Sequence, residues 1–309
     1  MEISQETLDL AEALLRNAYQ NAGAPIQDPE VATLALKIAF AASVQGRNGF
    51  EFFKNTKGVV GSPSLALAAS MASRVRSALE APDDEPLFDL PRLLSEKLGT
   101  DILLLDNDRV SGGCILMNIG AFVVLPVNRR PSDLFVCAHE LGHLLLLSLR
   151  TDPQGAVVDA VHDGSRSARS PNEHFADAFA RELLIPGPGL GFAIQEIREQ
   201  FKLSGPIGDI ELLYLSRVFG VSFLVMAKRC ERIGLLPEGA ALTLYKILVE
   251  QFGGPEERAD KLQLPPRPVI EIASVPRSIQ AATIQEIVSR RTVKQQPSLP
   301  ERPANRKLA

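Results

Sequence analysis

The chain has 309 residues, of which 45% are hydrophobic and 23% are charged, and its net charge is −4. That length supports one large or two small domains with a hydrophobic core, and the composition excludes a fibrous or wholly disordered protein. The charge is uneven, because residues 264–309 hold eight basic and three acidic residues while the rest is acidic. An acidic body gives no general reason to expect nucleic-acid binding.

The sequence also indicates a compartment. Met1–Asp9 lacks the basic start and apolar run of a signal peptide, and the leucine-rich stretch Leu144–Leu149 is far too short for a membrane span. The three cysteines are too few and too scattered for a disulfide framework. We therefore expect a cytoplasmic protein with no membrane partner.

The first 85 residues are predicted to be helical. The first helix is predicted from Ser4 to about Asn21, and the second begins at Asp28-Pro29 and ends at Gly46. A third helix begins at Ser62-Pro63. Ala81–Pro86, which reads A-P-D-D-E-P, has the composition of a linker.

The pattern then changes to mixed helices and strands. A short helix is predicted from Asp89 to Gly99, and apolar runs predict strands over Ile102–Leu105, Gly113–Met117 and Ala121–Val127. Long helices are predicted from Pro131 to Leu149 and from Pro171 to Ile185, the second of them ended by Pro186-Gly187-Pro188-Gly189. The polar stretch Arg150–Ser170 between them is expected to be a mobile loop. Helical periodicity continues to about Gln251, and a proline-rich, basic end follows.

Residues 139–143 read H-E-L-G-H. Residues four apart share one face of a helix, so His139 and His143 can direct both imidazoles at one ion, and zinc suits such a site. Glu140 lies beside them and can act as the general base of a hydrolytic reaction. The alternative, an ordinary helix with two chance histidines, leaves polar groups in a buried segment without partners.

A catalytic zinc needs a third protein ligand, and Glu173 is the candidate. It lies one helical turn before Asp177, a candidate for the residue behind the ligands that accepts the N–H of a ligating histidine. Alternatives stay open, because Ser170 and Glu173 also fit a capping box and because His174 and His162 are other potential ligands.

The paired motifs resemble a known family. H-E-L-G-H, followed about thirty residues later by E-x-x-A-D-x-F-A-x-x-L-L-I-P from Glu173 to Pro186, looks like the ImmA/IrrE-type zinc metallopeptidases, with a resemblance over about residues 86–250. The resemblance implies Zn2+ held by His139, His143 and Glu173, with Glu140 catalytic. The family more often has Asn at the position of Asp177.

The motifs and the resemblance lead to a prediction of fold and domains. We expect an α+β, gluzincin-like fold in which a small β-sheet packs on the HExxH helix and the Glu-ligand helix, flanked by helical regions. The predicted parts are an N-terminal helical region (1–85), a zinc metallopeptidase core (86–190), a C-terminal helical part of the peptidase (191–260) and a largely disordered, Pro-rich basic tail (261–309).

The resemblance also implies partners. Family members typically cleave a helix-turn-helix repressor encoded nearby, which switches on a mobile-element, DNA-damage or phage-defence programme. A CapP-like member of an anti-phage operon, activated by single-stranded DNA, fits a chain of this length and layout. The expected function is therefore an intracellular zinc endopeptidase with a repressor as its protein substrate.

Cys114 lies on a predicted strand that precedes the zinc helix. A thiolate that faced the metal would occupy its open position, so Cys114 is a candidate inhibitory fourth ligand. The alternative is an ordinary buried cysteine on a strand.

Two other functions stay open. Asp209–Gly234 resembles a helix-turn-helix pair with Lys228, Arg229 and Arg232 on its second helix, so a non-proteolytic regulator that binds DNA or a protein partner on a peptidase scaffold is the main alternative. A structural zinc protein is the third, and it needs a fourth protein ligand, for which Cys114 is the leading candidate.

Overall fold

A computed structural model of the chain describes residues 4–21, 31, 33–35, 37–38, 50–55, 62–105, 110–126, 133–160 and 170–268. The fold is α+β, with helices around one four-stranded sheet, as the sequence predicted. The helices are α1 (Gln5–Asn21), α2 (Phe50–Lys54), α3 (Leu65–Ala78), α4 (Leu90–Leu98), α5 (Asp133–Ser148), α6 (Pro171–Leu184), α7 (Gly187–Phe201), α8 (Asp209–Val218), α9 (Phe223–Arg232), α10 (Ala240–Phe252) and α11 (Pro255–Lys261). The strands are β1 (Thr100–Leu105), β2 (Val110–Met117), β3 (Gly120–Pro126) and β4 (Gly155–Ala160).

The strand order in the sheet is β1-β3-β2-β4. β1 runs parallel to β3, whereas β2 is antiparallel to both β3 and β4. β2 therefore has a strand on each side, and β4 forms the edge of the sheet beside it.

Each face of the sheet belongs to a separate hydrophobic core, because successive side chains on a strand point to opposite faces. One face packs against α5 through residues that include Cys114, Leu116, Ala121 and Val123. The opposite face packs against α1 and against Val31, Leu34, Ala35 and Ile38. The sheet residues that form this contact are Ile115, Met117, Phe122, Val124 and Val158. The start of the chain thus covers the side of the sheet that faces away from α5.

The segment Ala81–Pro86, predicted to be a linker, is held by a buried arginine of α3. Arg76 donates hydrogen bonds to the carbonyl oxygens of Pro82 and Glu85, the latter at 2.7 Å, and to that of Leu183 at the end of α6, at 2.6 Å. Burial lowers the pKa of Arg76, while Asp83 and its acidic neighbours oppose that shift. The division of the chain into four parts stays a prediction.

The stretch Arg150–Ser170 was predicted to be a mobile loop, and this prediction is wrong for residues 155–160. These residues form β4, which pairs with β2 from Gly155 opposite Leu116 to Ala160 opposite Val110. The sequence signal is weak because the run Ala156–Val158 has only three apolar residues. Pairing with β2 supplies the backbone hydrogen bonds that the short run alone would not secure.

Two helix ends also differ from prediction. Ser64 rather than Ser62 caps α3, since its Oγ accepts a hydrogen bond from the Leu67 N–H at 3.2 Å. Residues 186–189 end α6 but also begin α7 at Gly187, because proline is accommodated in the first turn of a helix. The predicted signals at Asp28-Pro29, Gly46 and Pro131, and the tail beyond residue 268, lie outside the described residues.

Within the described part of the chain, no single helix has the length and apolar composition of a membrane span. The pair α8 and α9 meets that test only when taken together, and the two helices are bent by 110° relative to each other.

Candidate metal centre

The site is built where α5 and α6 cross. α5 is buried along almost its whole length, so its polar residues His139, Glu140 and His143 lie inside the protein. Gly142 lets α6 approach closely, because a Cβ at this position would lie 3.0 Å from Ala176 Cα. The glycine of H-E-L-G-H thus positions the two helices against each other.

Four side chains converge at this crossing: His139, His143, Asp159 and Glu173, whose potential ligand atoms all lie within 4.8 Å of one another. His139 Nε2 lies 3.1 Å from His143 Nε2 and 3.3 Å from both Asp159 Oδ2 and Glu173 Oε2. His143 Nε2 lies 3.2 Å from Glu173 Oε1 and 3.9 Å from Asp159 Oδ2.

These distances fit the coordination shell of zinc. Tetrahedral ligands at Zn–N and Zn–O bond lengths near 2.0–2.1 Å are separated by roughly 3.3 Å. The measured separations, from 3.1 to 3.9 Å, bracket that value. Two imidazoles and two carboxylates are also donors that zinc accepts.

Glu173 lies in the first turn of α6 and faces the two histidines. Its backbone N–H donates to Ser170 Oγ at 3.3 Å, which is one half of the predicted capping box. Its carboxylate reaches His139 and His143 instead of turning back to Ser170. Although burial raises it, hydrogen bonds with the two histidines hold the pKa of Glu173 well below its ordinary value.

Asp177 lies behind His139, one turn further along α6. Its Oδ1 is 3.2 Å from His139 Nδ1, and its Oδ2 is 3.8 Å from Arg181 Nη1. A hydrogen bond from Nδ1–H to Asp177 would hold His139 in the tautomer whose Nε2 can bind a metal.

Glu140 is fully buried, and neither of its carboxylate oxygens accepts a hydrogen bond from the part of the chain that the structure describes. Burial, followed by the charge of Asp159, raises the pKa of Glu140 well above its ordinary value. Buried polar atoms are nearly always paired, so an unpaired carboxylate beside a ligand cluster indicates a functional group rather than a packing residue.

Asp159 is the residue of the cluster that the sequence analysis missed. It lies on β4, within the stretch expected to be a loop, and its Cα is paired with that of Gly112 on β2. A signal was available, since Val158 and Asp159 alternate between an apolar and a polar side chain as strand residues do. Three apolar residues were too few to indicate the strand.

The other candidate ligands lie elsewhere. Cys114 faces α5 but is buried in the hydrophobic core, and its sulfur is not among the four converging atoms. Burial, followed by the charges of Glu140 and Asp159, raises the pKa of its thiol. His174 lines a neighbouring cavity, and His162 lies outside the described residues. An inhibitory role of Cys114 stays a prediction.

A cavity of about 710 Å3 begins beside the cluster, at Asp177 and His174, and extends between α5, α6 and α9. Its wall carries residues of both charges. These are Asp177, Arg181, Lys228, Glu231, Arg232 and Glu238. The cavity is large enough to receive side chains of an extended peptide next to the four converging residues.

The basic residues Arg229 and Lys228 of α9 form ion pairs within the protein. Arg229 is buried and donates to both carboxylate oxygens of Glu182 on α6, at 2.5 and 2.6 Å, and to the Ile185 carbonyl. Lys228 pairs with Glu231 at 2.7 Å. In this arrangement Arg229 does not face a nucleic-acid phosphate.

Comparison with protein-family models matches residues 107–231 to the M78 peptidase model, described as the IrrE N-terminal-like domain. A comparison with curated proteins finds no match. The matched segment contains both motifs, all four converging residues, Glu140 and Asp177. The match to residues 107–231 therefore agrees with the resemblance of the paired motifs to the ImmA/IrrE family.

Proposed function

We propose that the protein is a zinc-dependent endopeptidase of the cytoplasm. The observation that carries this proposal is the buried, unpaired carboxylate of Glu140 beside a cluster of two histidines and two carboxylates. A site that only stabilises the fold has no use for such a group, whereas hydrolysis needs a base next to the metal.

His139, His143 and Glu173 would hold the metal, and Asp177 would keep His139 in the ligating tautomer. When bound, zinc supplies a Lewis acid that polarises the scissile carbonyl and lowers the pKa of water. Glu140 takes a proton from the attacking water and returns it to the leaving nitrogen.

We further propose that the substrate is a helix-turn-helix transcriptional repressor whose cleavage switches on a stress or phage-defence operon. DNA damage or single-stranded DNA is the proposed activating signal. The resemblance to the ImmA/IrrE family supports these proposals, and the cavity beside the cluster offers a place for a peptide. Membership of the CapP-like subgroup stays a prediction.

A structural zinc site is the alternative that a specific observation favours, because Asp159 could complete four protein ligands. The unpaired Glu140 argues against it. A regulator without proteolytic activity stays a prediction, and it requires that Glu140 be dispensable for biological output.

The test combines metal content with cleavage. Wild type, Glu173→Ala, Glu140→Gln and the exposed control Glu96→Gln would be analysed for zinc by mass spectrometry and incubated with the neighbouring repressor and single-stranded DNA. We expect one zinc per chain in all but Glu173→Ala, and cleavage by wild type and Glu96→Gln alone. Cleavage by Glu140→Gln would contradict the proposed role of the base, and full zinc content in Glu173→Ala would move the third ligand elsewhere.

A further inference from the structure

We infer that Asp159 is a fourth protein ligand of the metal, and that it occupies the position which hydrolysis needs open. The described conformation is then a self-inhibited resting state of the peptidase. This inference rests on the proposed function, since it concerns the regulation of the same site.

The distances place Asp159 Oδ2 where a fourth ligand of a tetrahedral metal ion would lie. Asp159 Oδ2 lies 3.3 Å from His139 Nε2, the same distance that separates His139 Nε2 from Glu173 Oε2. It lies 3.9 Å from His143 Nε2, which is the longest of these separations between the potential ligand atoms. A tetrahedral shell with two imidazoles, Glu173 and Asp159 has no position left for water.

The sheet holds Asp159 in this place. Val158 packs into the core on the α1 side of the sheet, so the alternation of side chains directs Asp159 to the α5 side. Its backbone is fixed as well, because its carbonyl accepts a hydrogen bond from Ser111 Oγ at 3.0 Å. Asp159 is thus directed at the histidines by the register of β4 on β2, not by a chance rotamer of a surface residue.

Asp159 lies close to Glu140 and is the more exposed of the two carboxylates. Glu140 is fully buried, whereas the side chains of Asp159 and Glu173 are 22% and 30% exposed, against 10% and 3% for His139 and His143. Access from solvent therefore comes from the side of the two carboxylates. Glu173 is needed as a ligand, so release of Asp159 is the change that admits water to both the metal and Glu140.

The position of Asp159 on an edge strand makes such a release feasible. Among the described strands β4 pairs with β2 alone, so a shift of its end breaks hydrogen bonds to one described neighbour rather than two. A ligand of a purely structural site would gain nothing from this placement. Asp159 lies on an edge strand, and the base Glu140 lies beside it without a hydrogen-bond donor among the described residues. This combination favours a metal site from which Asp159 can be released over a site that keeps four protein ligands permanently.

Cobalt(II) provides the test, because its visible absorption reports coordination number and ligand exchange without any substrate. Cobalt-loaded wild type, Asp159→Ala, Asp159→Asn and the exposed control Asp152→Ala would be titrated with acetohydroxamate. Cobalt affinity would be measured in parallel by competition with a chelator. The Asn variant keeps the shape of the side chain, so it serves if the Ala variant unfolds.

We expect the visible spectra of wild type and Asp152→Ala to change little with acetohydroxamate. Both Asp159 variants should bind it at least about tenfold more tightly and lose about 10–100-fold in cobalt affinity, the loss typical of weakening a metal's surroundings. Equal spectra, hydroxamate binding and cobalt affinity in wild type and both Asp159 variants would overturn the inference.

The two levels of the proposal fail in different ways. If wild type takes up no cobalt, or if His143→Ala takes it up as wild type does, the proposed metal centre fails and the inference with it. If cobalt binding depends on His143 but is indifferent to Asp159, only the self-inhibited state is refuted.

Discussion

Gly112 on β2 and Glu140 on α5 share one small space: a Cβ at position 112 would lie 2.4 Å from Glu140 Oε1 and 2.7 Å from Val136 Cγ1. The missing side chain of Gly112 therefore leaves the room in which the carboxylate of the base sits. Any larger residue must displace Glu140 or push β2 away from α5.

We expect Gly112→Ala to retain the metal but to lose at least about 100-fold in peptide hydrolysis, since a displacement of about 1 Å can cost that much. Zinc content and initial cleavage rates would be measured together. Gly191→Ala on α7 is the control, because a Cβ there meets nothing within 4 Å. Unchanged hydrolysis by Gly112→Ala would mean that the carboxylate acts from a different position.

Replacing the unpaired base should not cost stability. Glu140→Gln exchanges a buried ionisable group for a neutral one of the same shape, which reduces the desolvation penalty of an unpaired group. We expect the metal-free variant to unfold at a temperature equal to or a few degrees above that of metal-free wild type. Thermal unfolding followed by circular dichroism at neutral pH is the measurement, and a clearly lower transition in the variant would show that Glu140 has a stabilising partner.

Asp177 should act on metal affinity through His139. Asp177→Ala removes the acceptor that holds His139 Nδ1, at 3.2 Å, and should weaken zinc binding by about 10–100-fold. Asp177→Asn keeps an oxygen acceptor and should lose less. Competition with a chelator would measure both, and the assignment fails if the Ala and Asn variants bind zinc as tightly as wild type does.

The pair of Arg229 and Glu182 predicts a structural role for α9. Arg229→Met removes one partner of a largely buried ion pair and should destabilise the protein by about 3 kcal/mol, since the remaining charge is left uncompensated. Denaturant unfolding would give the free energy of unfolding. The double variant Arg229→Met/Glu182→Met should lose less than Arg229→Met alone. A fully stable Arg229→Met would instead return this arginine to the candidates for binding a partner.

The contact between Arg267 and Glu256 predicts a dependence of stability on pH. Burial raises the pKa of Glu256, but the hydrogen bond and charge of Arg267, and then the charge of Arg217, lower it overall below its ordinary value of 4.5. Because the folded-state pKa is the lower one, the stabilisation is present above pH 4.5 and is lost as the pH falls through the folded-state pKa.

Arg267→Met should therefore lower the unfolding temperature at pH 7, and its difference from wild type should shrink toward about pH 3. Arg92→Met is the control, because its partners Asp89 and Glu96 are exposed and the pair should contribute little at any pH. A difference that grows on acidification would contradict the assignment to Glu256.

The sequence predicted the elements whose signals are local. The spacing of His139 and His143 predicts one helical face, and Ser170-Pro171 predicts the start of the helix that carries Glu173, which lies where that signal requires. Strands β1, β2 and β3 were predicted within three residues of their ends, because each combines a β-prone run with flanking turn residues.

The rest depends on contacts between distant parts of the chain. β4 gains its hydrogen bonds from β2, whose paired residues lie 39 to 50 positions earlier in the sequence, so its three apolar residues give little local signal. The first helices were predicted as helices, but nothing in them indicates that they cover the back of the sheet. For the same reason Asp159 was not predicted as part of the cluster, although the pattern that surrounds it can be understood once the pairing is known.

β4 has a consequence for communication within the molecule. Adjacent residues of this strand contact different parts of the protein: Val158 packs against the core that α1 completes, and Asp159 touches the histidines. One peptide unit, about 3.3 Å of extended chain, separates the two contacts. A movement of the amino-terminal helices and a change around the candidate metal site therefore both act on β4. The two sites can be coupled through this strand without a relay through the hydrophobic core.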